Sequence, residues 1–152
     1  MTRIERGATG FWNHGDEPAP ETDPALLRTI CWEAARRVGG RVGELAWAAA
    51  SSFYSVAITR RAETHVVLCH AHLPVIAFAD AAPVPGRPLT GFVDPPGWAD
   101  GFSTVGFRCL SVEELRTPMS DVDATGLTEA ELTQIRYWRP EALSDLLFNW
   151  WD

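Results

Sequence analysis

The chain has 152 residues, of which 46% are hydrophobic and 22% charged, and its formal net charge at pH 7 is -7. This length and composition suit one globular domain, residues 1–152, that buries its own core without disulfides, and they exclude a disordered chain. The acidic balance leaves no surplus of positive charge for a phosphate-binding surface, so we expect no binding to nucleic acid.

Residue usage narrows the chemistry further. All 13 basic residues are arginine, which excludes reactions that depend on a lysine, such as Schiff-base formation or phosphate binding by a P-loop. The three cysteines, Cys31, Cys69 and Cys109, are widely spaced and match no zinc or redox motif. We expect them to act as small buried hydrophobic residues, and we expect no cofactor.

No segment indicates a membrane or secretory destination. The longest apolar stretches, residues 45–50 and 73–79, are too short to span a bilayer. The polar start of the chain is not followed by the apolar core of a secretory signal. We therefore expect a cytoplasmic protein that does not bind membranes.

The first 22 residues are polar and rich in turn-forming residues. They predict an irregular N-terminal arm, residues 1–22, ahead of a globular body at 23–152. Phe11 and Trp12 interrupt this polarity, and we expect them to pin the arm to the body.

The body begins with a predicted helix over residues 24–38. Asp23 can cap it, and Pro24 stands at the first helical position, where a missing N–H is harmless. Apolar residues recur at helical spacing along one face. Gly39 and Gly40 then predict its end.

Several strands follow this helix. Residues 41–50 are compatible with a buried helix or with a strand of small residues, and their alanines favour the helix. Beyond them, alternating or β-prone residues predict a hairpin turn at 61–63 and further strands. These strands are expected at 53–60, 64–70, 75–79, 91–93 and 104–110.

Three helices close the chain. Capping boxes at Ser111–Glu114 and Thr128–Glu131 predict two helix starts. Pro140 introduces the last helix, with Leu143, Leu146, Leu147 and Trp150 on one face. The order of helix, strands and helices predicts an α+β fold. We expect a mainly antiparallel sheet of four or more strands, with helices at the N- and C-terminal ends packed to one side.

Two histidines form the first candidate site. His70 and His72 stand two apart near a strand end, a spacing that places both side chains on one face, so they could bind one metal ion. Asp80 or Asp94 would have to supply a third ligand. The alternative is that both histidines lie on a solvated strand face or at a turn, each hydrogen-bonded locally.

Aromatic residues form the second candidate. The chain has seven tryptophans, and two of them, Trp150 and Trp151, are adjacent near its end. Adjacent residues of a helix cannot both face the same core. We expect Trp150 to be buried and Trp151 to remain near the surface, where tryptophan often anchors interfaces.

The third candidate is the loop region 81–102, which is rich in proline and glycine. Long loops on a rigid sheet often bind ligands, although an ordinary surface connection is equally compatible with this composition. Its candidate binding residues are Arg87, Asp94, Trp98, Asp100 and Phe102.

These features favour a non-enzymatic binding protein. No serine-hydrolase, nucleotide-binding or calcium-loop motif is present. The negative charge and the surplus of aromatic residues suit a domain that regulates or neutralises a protein partner, as immunity and inhibitor proteins do, and a basic partner would be favoured. The alternative function is a metal-dependent enzyme or small-ligand-binding domain that uses His70 and His72. The sequence does not determine the oligomeric state.

Overall fold

The computed structural model describes residues 2–11, 15, 17, 20–47 and 51–150. The strands over these residues are β1 (Thr2–Arg3), β2 (Arg41–Val42), β3 (Phe53–Arg60), β4 (Glu63–His70), β5 (Val75–Ala79), β6 (Phe92–Val93), β7 (Arg108–Cys109) and β8 (Val122–Asp123). The helices are α1 (Pro24–Arg37), α2 (Asp100–Ser103), α3 (Val112–Leu115), α4 (Glu129–Trp138) and α5 (Leu143–Leu147). Two short 3-10 helices are Gly97–Ala99 and Met119–Asp121.

One main sheet organises the molecule. Strands β2 to β6 lie side by side in chain order, and every neighbouring pair in this run is antiparallel. Strand β7 joins the sheet by pairing with β5 in parallel. The longest ladder is the β3–β4 hairpin, from Phe53 opposite His70 to Arg60 opposite Glu63. The predicted α+β fold with a mainly antiparallel sheet is thus confirmed.

The helices cover both faces of this sheet, whereas chain order had suggested one side. On β4, Val66 and Leu68 point into one core cluster, and Val67 and Cys69 point into the other. Successive side chains of a strand lie on opposite faces, so both faces here are apolar and both need a cover. Helix α1 covers the Val67 face. Helices α3 and α5, together with the N-terminal residues, cover the Val66 face.

Helix α1 forms as predicted. The Asp23 side chain accepts a hydrogen bond from the Ala25 N–H at 2.9 Å, and Gly39 follows the helix with φ 68°. The core face buries Leu27, Ile30, Cys31, Ala34 and Ala35. Helix α1 has 14 residues, and within the described ranges no helix is both long and apolar enough to cross a membrane.

The segment after α1 forms an edge strand and not the helix that its alanines favoured. Arg41 and Val42 pair with β3, and Ala46 exchanges two backbone hydrogen bonds with Ser55, at 2.8 and 2.9 Å. Pairing satisfies backbone groups of β3 that would otherwise lie open at the sheet edge. The free energy gained from this pairing outweighs the small preference of the segment for a helix. Residues 48–50 lie outside the described residues.

The predicted strand at 104–110 is reduced to the two residues of β7. The chain ahead of it forms α2 and then turns back, with the Phe107 N–H donating to the Phe102 carbonyl at 3.0 Å. Gly106 occupies this turn with φ 96°, a left-handed conformation that glycine adopts without strain. A turn of this kind interrupts the apolar run that suggested a longer strand.

The start of the chain belongs to the core and is not a detached arm. Strand β1 pairs in parallel with β8, and the Ile4 and Ala8 side chains are buried. Phe11 is half-buried, in accord with the expected pinning role, and Trp12 lies outside the described residues. The body therefore includes residues 2–10, which sequence composition had placed outside it.

The last helix is shorter than predicted. Helix α5 buries Leu143, Leu146 and Leu147, but Trp150 lies beyond its end, in an antiparallel bridge with Ser51. The Ser52 hydroxyl donates to the Leu147 carbonyl at 2.7 Å and accepts from the N–H of residue 149 at 3.1 Å. A longer helix would need the Leu147 carbonyl and the N–H of residue 149 for its own hydrogen bonds. Because Ser52 binds both groups, the helix ends at Leu147. Trp151 lies outside the described residues.

Candidate functional site

His70 is completely buried, and both of its ring nitrogens are occupied by backbone groups. Its Nδ1 accepts the N–H groups of His72 and Leu73, each at 3.0 Å. Because a backbone N–H can only donate, Nδ1 is unprotonated, and Nε2 carries the proton that it donates to the Ala8 carbonyl at 2.7 Å. Burial, helped by the nearby His72, lowers the pKa of the imidazole to about 3. His70 therefore links the N-terminal segment to the bend after β4.

His72 makes a second link to the N-terminal segment. Its Nδ1 lies 2.6 Å from the Pro20 carbonyl, which can only accept a hydrogen bond. The ring also lies against Gly10, where an added Cβ would stand 2.7 Å from Nε2. Only a glycine at position 10 allows this close approach, and its φ of 78° is one that glycine tolerates.

The two histidines are neighbours, with ring centroids 5.9 Å apart. Among the described residues, however, no group of three or more His, Cys, Asp or Glu is placed to hold a metal ion. Asp94 accepts the N–H of Val112 at the start of α3, at 2.9 Å, and Asp80 lies against Gly91. The geometry of the described residues does not bring a metal site together, and the local alternative holds only for Nδ1 of His70, because both rings also bond to carbonyls distant in sequence, those of Ala8 and Pro20.

Glu131 is the third side chain that holds the N-terminal segment. From the sequence it was expected only as part of a capping box. The capping box forms, but the carboxylate is completely buried and also binds residues far along the chain. It accepts the N–H of Gly7 at 3.1 Å, the N–H of Thr9 at 3.0 Å and the Thr9 hydroxyl at 2.9 Å. Several donors directed at one carboxylate can stabilise a buried negative charge without a cation.

The loop residues proposed for binding do not form one surface. Phe102 is fully buried and packs against Phe78, with ring centroids 6.0 Å apart, so its prediction as a binding residue is wrong. Trp98 is half-buried and packs edge-on against the same Phe78, at 5.7 Å. Asp100 is exposed at the start of α2. Phe102 in α2 and Trp98 in the 3-10 helix before it both pack in the cluster that α1 covers, Phe102 as a core residue and Trp98 at its border.

Arg87 lies elsewhere, beside Trp150. Its carbonyl accepts the Trp150 indole N–H at 2.9 Å, and the Trp150 ring packs edge-on against Phe53 at 5.3 Å. Trp150 is half-buried by these contacts. The hydrogen bond attaches the tip of the 81–91 loop to the end of the chain.

Three shallow depressions meet at Trp150. One lies between Arg87 and Asn149, one between Trp138 and Asn149, and one between Trp47 and Pro83. We call the exposed and half-buried residues around them the Trp150 surface; its members are Trp47, Pro83, Arg87, Trp138, Arg139, Glu141, Asp145, Asn149 and Trp150, together with Tyr137, which adjoins Trp138. The depressions measure about 210, 240 and 130 Å³. Small-molecule sites are usually about 300–1,000 Å³, so each depression is better suited to a side chain of a partner.

Two aromatic side chains of the Trp150 surface are largely exposed. Trp47 is 56% exposed and Tyr137 is 75% exposed. Trp47 packs obliquely on Tyr54 at 6.3 Å, and Tyr137 packs edge-on against Trp138 at 5.2 Å. Trp47, Tyr137 and Trp138 were not among the candidate residues taken from the sequence. For Tyr137 and Trp138 a signal was present, because two adjacent aromatic residues in the last turn of a helix, just before Pro140, cannot both be buried.

The cysteines show no sign of reactivity. Cys31 and Cys69 are buried, and burial raises the pKa of each thiol to about 12. Cys109 is half-buried, and burial together with Asp100 raises the pKa of its thiol to about 11. A thiol is nucleophilic only as the thiolate, so these residues serve as small hydrophobic side chains.

Comparisons with known proteins identify no relative. No family model matches the chain, and neither a curated protein nor a solved structure matches it. The function is therefore inferred from the exposed side chains and depressions of the molecule itself.

Proposed function

We propose that this protein is a non-enzymatic binding protein that regulates or neutralises a protein partner through the Trp150 surface. The observation that supports this most is the exposure of Trp47 and Tyr137 beside depressions of side-chain size. Aromatic residues are enriched among the residues that dominate interface energies, and they gain most when a partner removes them from water.

Charge favours a basic partner. The chain carries a formal net charge of -7, which attracts a basic protein over long distances and speeds the encounter. On the Trp150 surface itself Glu141 and Asp145 lie beside Arg87 and Arg139, so the attraction comes from the net charge of the whole chain. A cytoplasmic inhibitor or immunity-like protein, acting by covering a functional surface of its partner, fits these properties.

The metal-dependent alternative has less support. A metal ion at His70 would have to displace either the Ala8 carbonyl at Nε2 or two backbone N–H groups at Nδ1. Each displaced buried backbone group would lose a hydrogen bond, at a cost of about 1–3 kcal/mol. His72 is likewise engaged by the Pro20 carbonyl.

The test compares the wild-type chain with two variants, Trp47→Ala and Tyr137→Ala, in affinity capture from the native cell. Val105→Ala is the matched control, because Val105 is 50% exposed but lies outside the Trp150 surface. Captured proteins are identified by mass spectrometry, and their affinities for each variant are measured by calorimetry. We expect a partner that binds wild type and Val105→Ala equally and the two aromatic variants at least about tenfold more weakly. A partner that binds all four proteins equally would contradict the proposal.

A further inference from the structure

Six of the chain's arginines gather on α1 and on the sheet end beside it. Arg28 and Arg36 each stand four residues from Trp32 on α1, so the three side chains form one stripe on the helix. All three residues are exposed, and Trp32 is 61% exposed. Arg37 lies next to this stripe in the last turn of the helix.

The topology brings three more arginines to the end of α1. Arg41 follows Arg37 after a short turn and pairs with Thr59, the neighbour of Arg60. Gly40 permits this approach, because a Cβ there would stand 3.0 Å from the Thr59 carbonyl oxygen. The β3–β4 hairpin turns at Arg61, which has φ 58°. We call Arg28, Trp32, Arg36, Arg37, Arg41, Arg60 and Arg61 the arginine surface.

Most of these arginines form no ion pair with the residues that the structure describes. Arg36 pairs with Glu33 at 2.9 Å. In the described part of the chain, Arg28, Arg37, Arg41 and Arg61 form no ion pair, and all four are exposed. The six arginines contribute +6 to a net charge of -7, so the rest of the chain carries -13. The molecule therefore has a basic region within an otherwise strongly acidic protein.

We propose that the arginine surface binds a short acidic segment of a partner protein. Guanidinium groups bind carboxylates through two parallel hydrogen bonds, and Trp32 offers an apolar anchor between Arg28 and Arg36. Tryptophan and arginine are also the residues most enriched at interface hot spots.

The charge distribution favours a short peptide over a nucleic acid. A nucleic acid carries negative charge along its whole length, and beyond the arginine surface it would meet a body with a charge of -13. A short acidic segment meets only the basic region. This site is separate from the Trp150 surface, and neither proposal depends on the other.

The test uses a fluorescein-labelled peptide of alternating glutamate and aspartate with one central phenylalanine, and it measures anisotropy with the full chain at low salt. The test variant is Arg28→Glu/Arg37→Glu. The control is Arg116→Glu/Arg136→Glu, which changes the net charge equally at two exposed arginines outside the arginine surface. We expect binding to weaken at least about tenfold in the test variant and less than about twofold in the control. Trp32→Ala should weaken it about fivefold.

Thermal melts first establish that each variant is folded. Absence of peptide binding by the wild-type chain would overturn the proposal, and so would an equal loss in the test and control variants. Single-stranded DNA with the same number of negative charges serves as the competitor. If the DNA binds as tightly as the peptide, the arginine surface is a nucleic-acid site and the proposal fails.

Discussion

At the scale of single residues, three polar side chains hold the N-terminal segment in place. His70, His72 and Glu131 all bind backbone groups of this segment. The bonds of His70 and Glu131 satisfy backbone groups of residues 7–9, whose irregular course leaves them without a secondary-structure partner, and the bond of His72 satisfies the Pro20 carbonyl. Two of the side chains, His70 and Glu131, are completely buried, so the loss of either would leave several donors or acceptors unsatisfied.

His70 predicts a stability that depends on pH. Burial lowers the pKa of the folded imidazole to about 3, whereas an unfolded histidine titrates near about 6.5. Between these values the unfolded state binds more protons, so the free energy of unfolding falls as the pH falls, by up to about 1.4 kcal/mol per pH unit. Urea denaturation at pH 7 and pH 5 should show a decrease of about 2 kcal/mol.

The control for this prediction is His70→Asn, which cannot titrate. This variant should be less stable at pH 7 and should lose less stability than wild type between pH 7 and pH 5. If wild type and His70→Asn lose the same amount, another group is responsible for the pH dependence.

Glu131 predicts a large cost on truncation. Glu131→Ala would leave the N–H groups of Gly7 and Thr9 buried without an acceptor, at about 1–3 kcal/mol each. We expect the free energy of unfolding to fall by about 3 kcal/mol, measured by urea denaturation. Glu129→Ala is the matched control, because Glu129 lies on the same helical turn but pairs with Arg136 at the surface. Its loss should be below about 1 kcal/mol.

At the scale of secondary-structure elements, local signals decided where α1, α3 and α4 begin, and a tertiary contact decided where α5 ends. Both capping boxes form at the residues where the sequence placed them, Ser111–Glu114 and Thr128–Glu131. Their side chains bond to backbone groups three residues away, so no distant contact is required. The end of α5, in contrast, depends on Ser52, which is remote in sequence and bonds to the Leu147 carbonyl.

The C-terminal segment after α5 is predicted to be essential for folding. Deleting residues 148–152 would remove Phe148, which is 2% exposed, and Trp150, and both rings pack against Phe53. Truncating a core aromatic side chain costs about 3–5 kcal/mol, and a whole domain has only about 5–15 kcal/mol of stability. We expect the truncated chain to show no cooperative thermal transition.

Trp151→Ala provides the comparison for this deletion. It should keep the fold largely intact, because we expect Trp151 to remain near the surface, where its truncation removes little buried area. A truncated chain that melts at the wild-type temperature would mean that the segment after α5 contributes nothing to the core.

At the scale of the whole molecule, the N-terminal segment closes one face of the sheet. Ile4 and Ala8 pack in the same cluster as Leu68 and Leu146, and β1 adds a second, two-stranded sheet with β8. The molecule also separates its charges, with the arginine surface at one end and an excess of carboxylates elsewhere. Both properties arise from residues that are far apart in the sequence.

This closure predicts that residues 2–10 are part of the cooperative folding unit. Deleting them would expose the core side of Leu68 and leave Glu131 and the Nε2 of His70 without their partners. We expect a drop of more than about 10 °C in the melting temperature, since a loss of about 1 kcal/mol corresponds to about 2–4 °C or more at this size. Arg6→Ala is the control, because its side chain contacts only the exposed Glu17 carbonyl, and it should melt close to wild type.

The sequence by itself determined the features that depend on near neighbours. These are the α+β class, helix α1 with its Asp23 cap, the hairpin between β3 and β4, and the starts of α3 and α4. Each follows from residues within a few positions of one another, because hydrophobic period, capping and turn chemistry are local. The prediction of buried cysteines has the same origin in residue type.

The tertiary structure alone decided what each element packs against. It placed the helices on both faces of the sheet, paired Arg41, Val42 and Ala46 with β3 at the sheet edge and buried Phe102 under α1. It also engaged the candidate metal ligands His70 and His72 with backbone carbonyls from residues 8 and 20. All of these depend on contacts between residues distant in sequence, and no local pattern encodes which distant group will satisfy a buried polar atom.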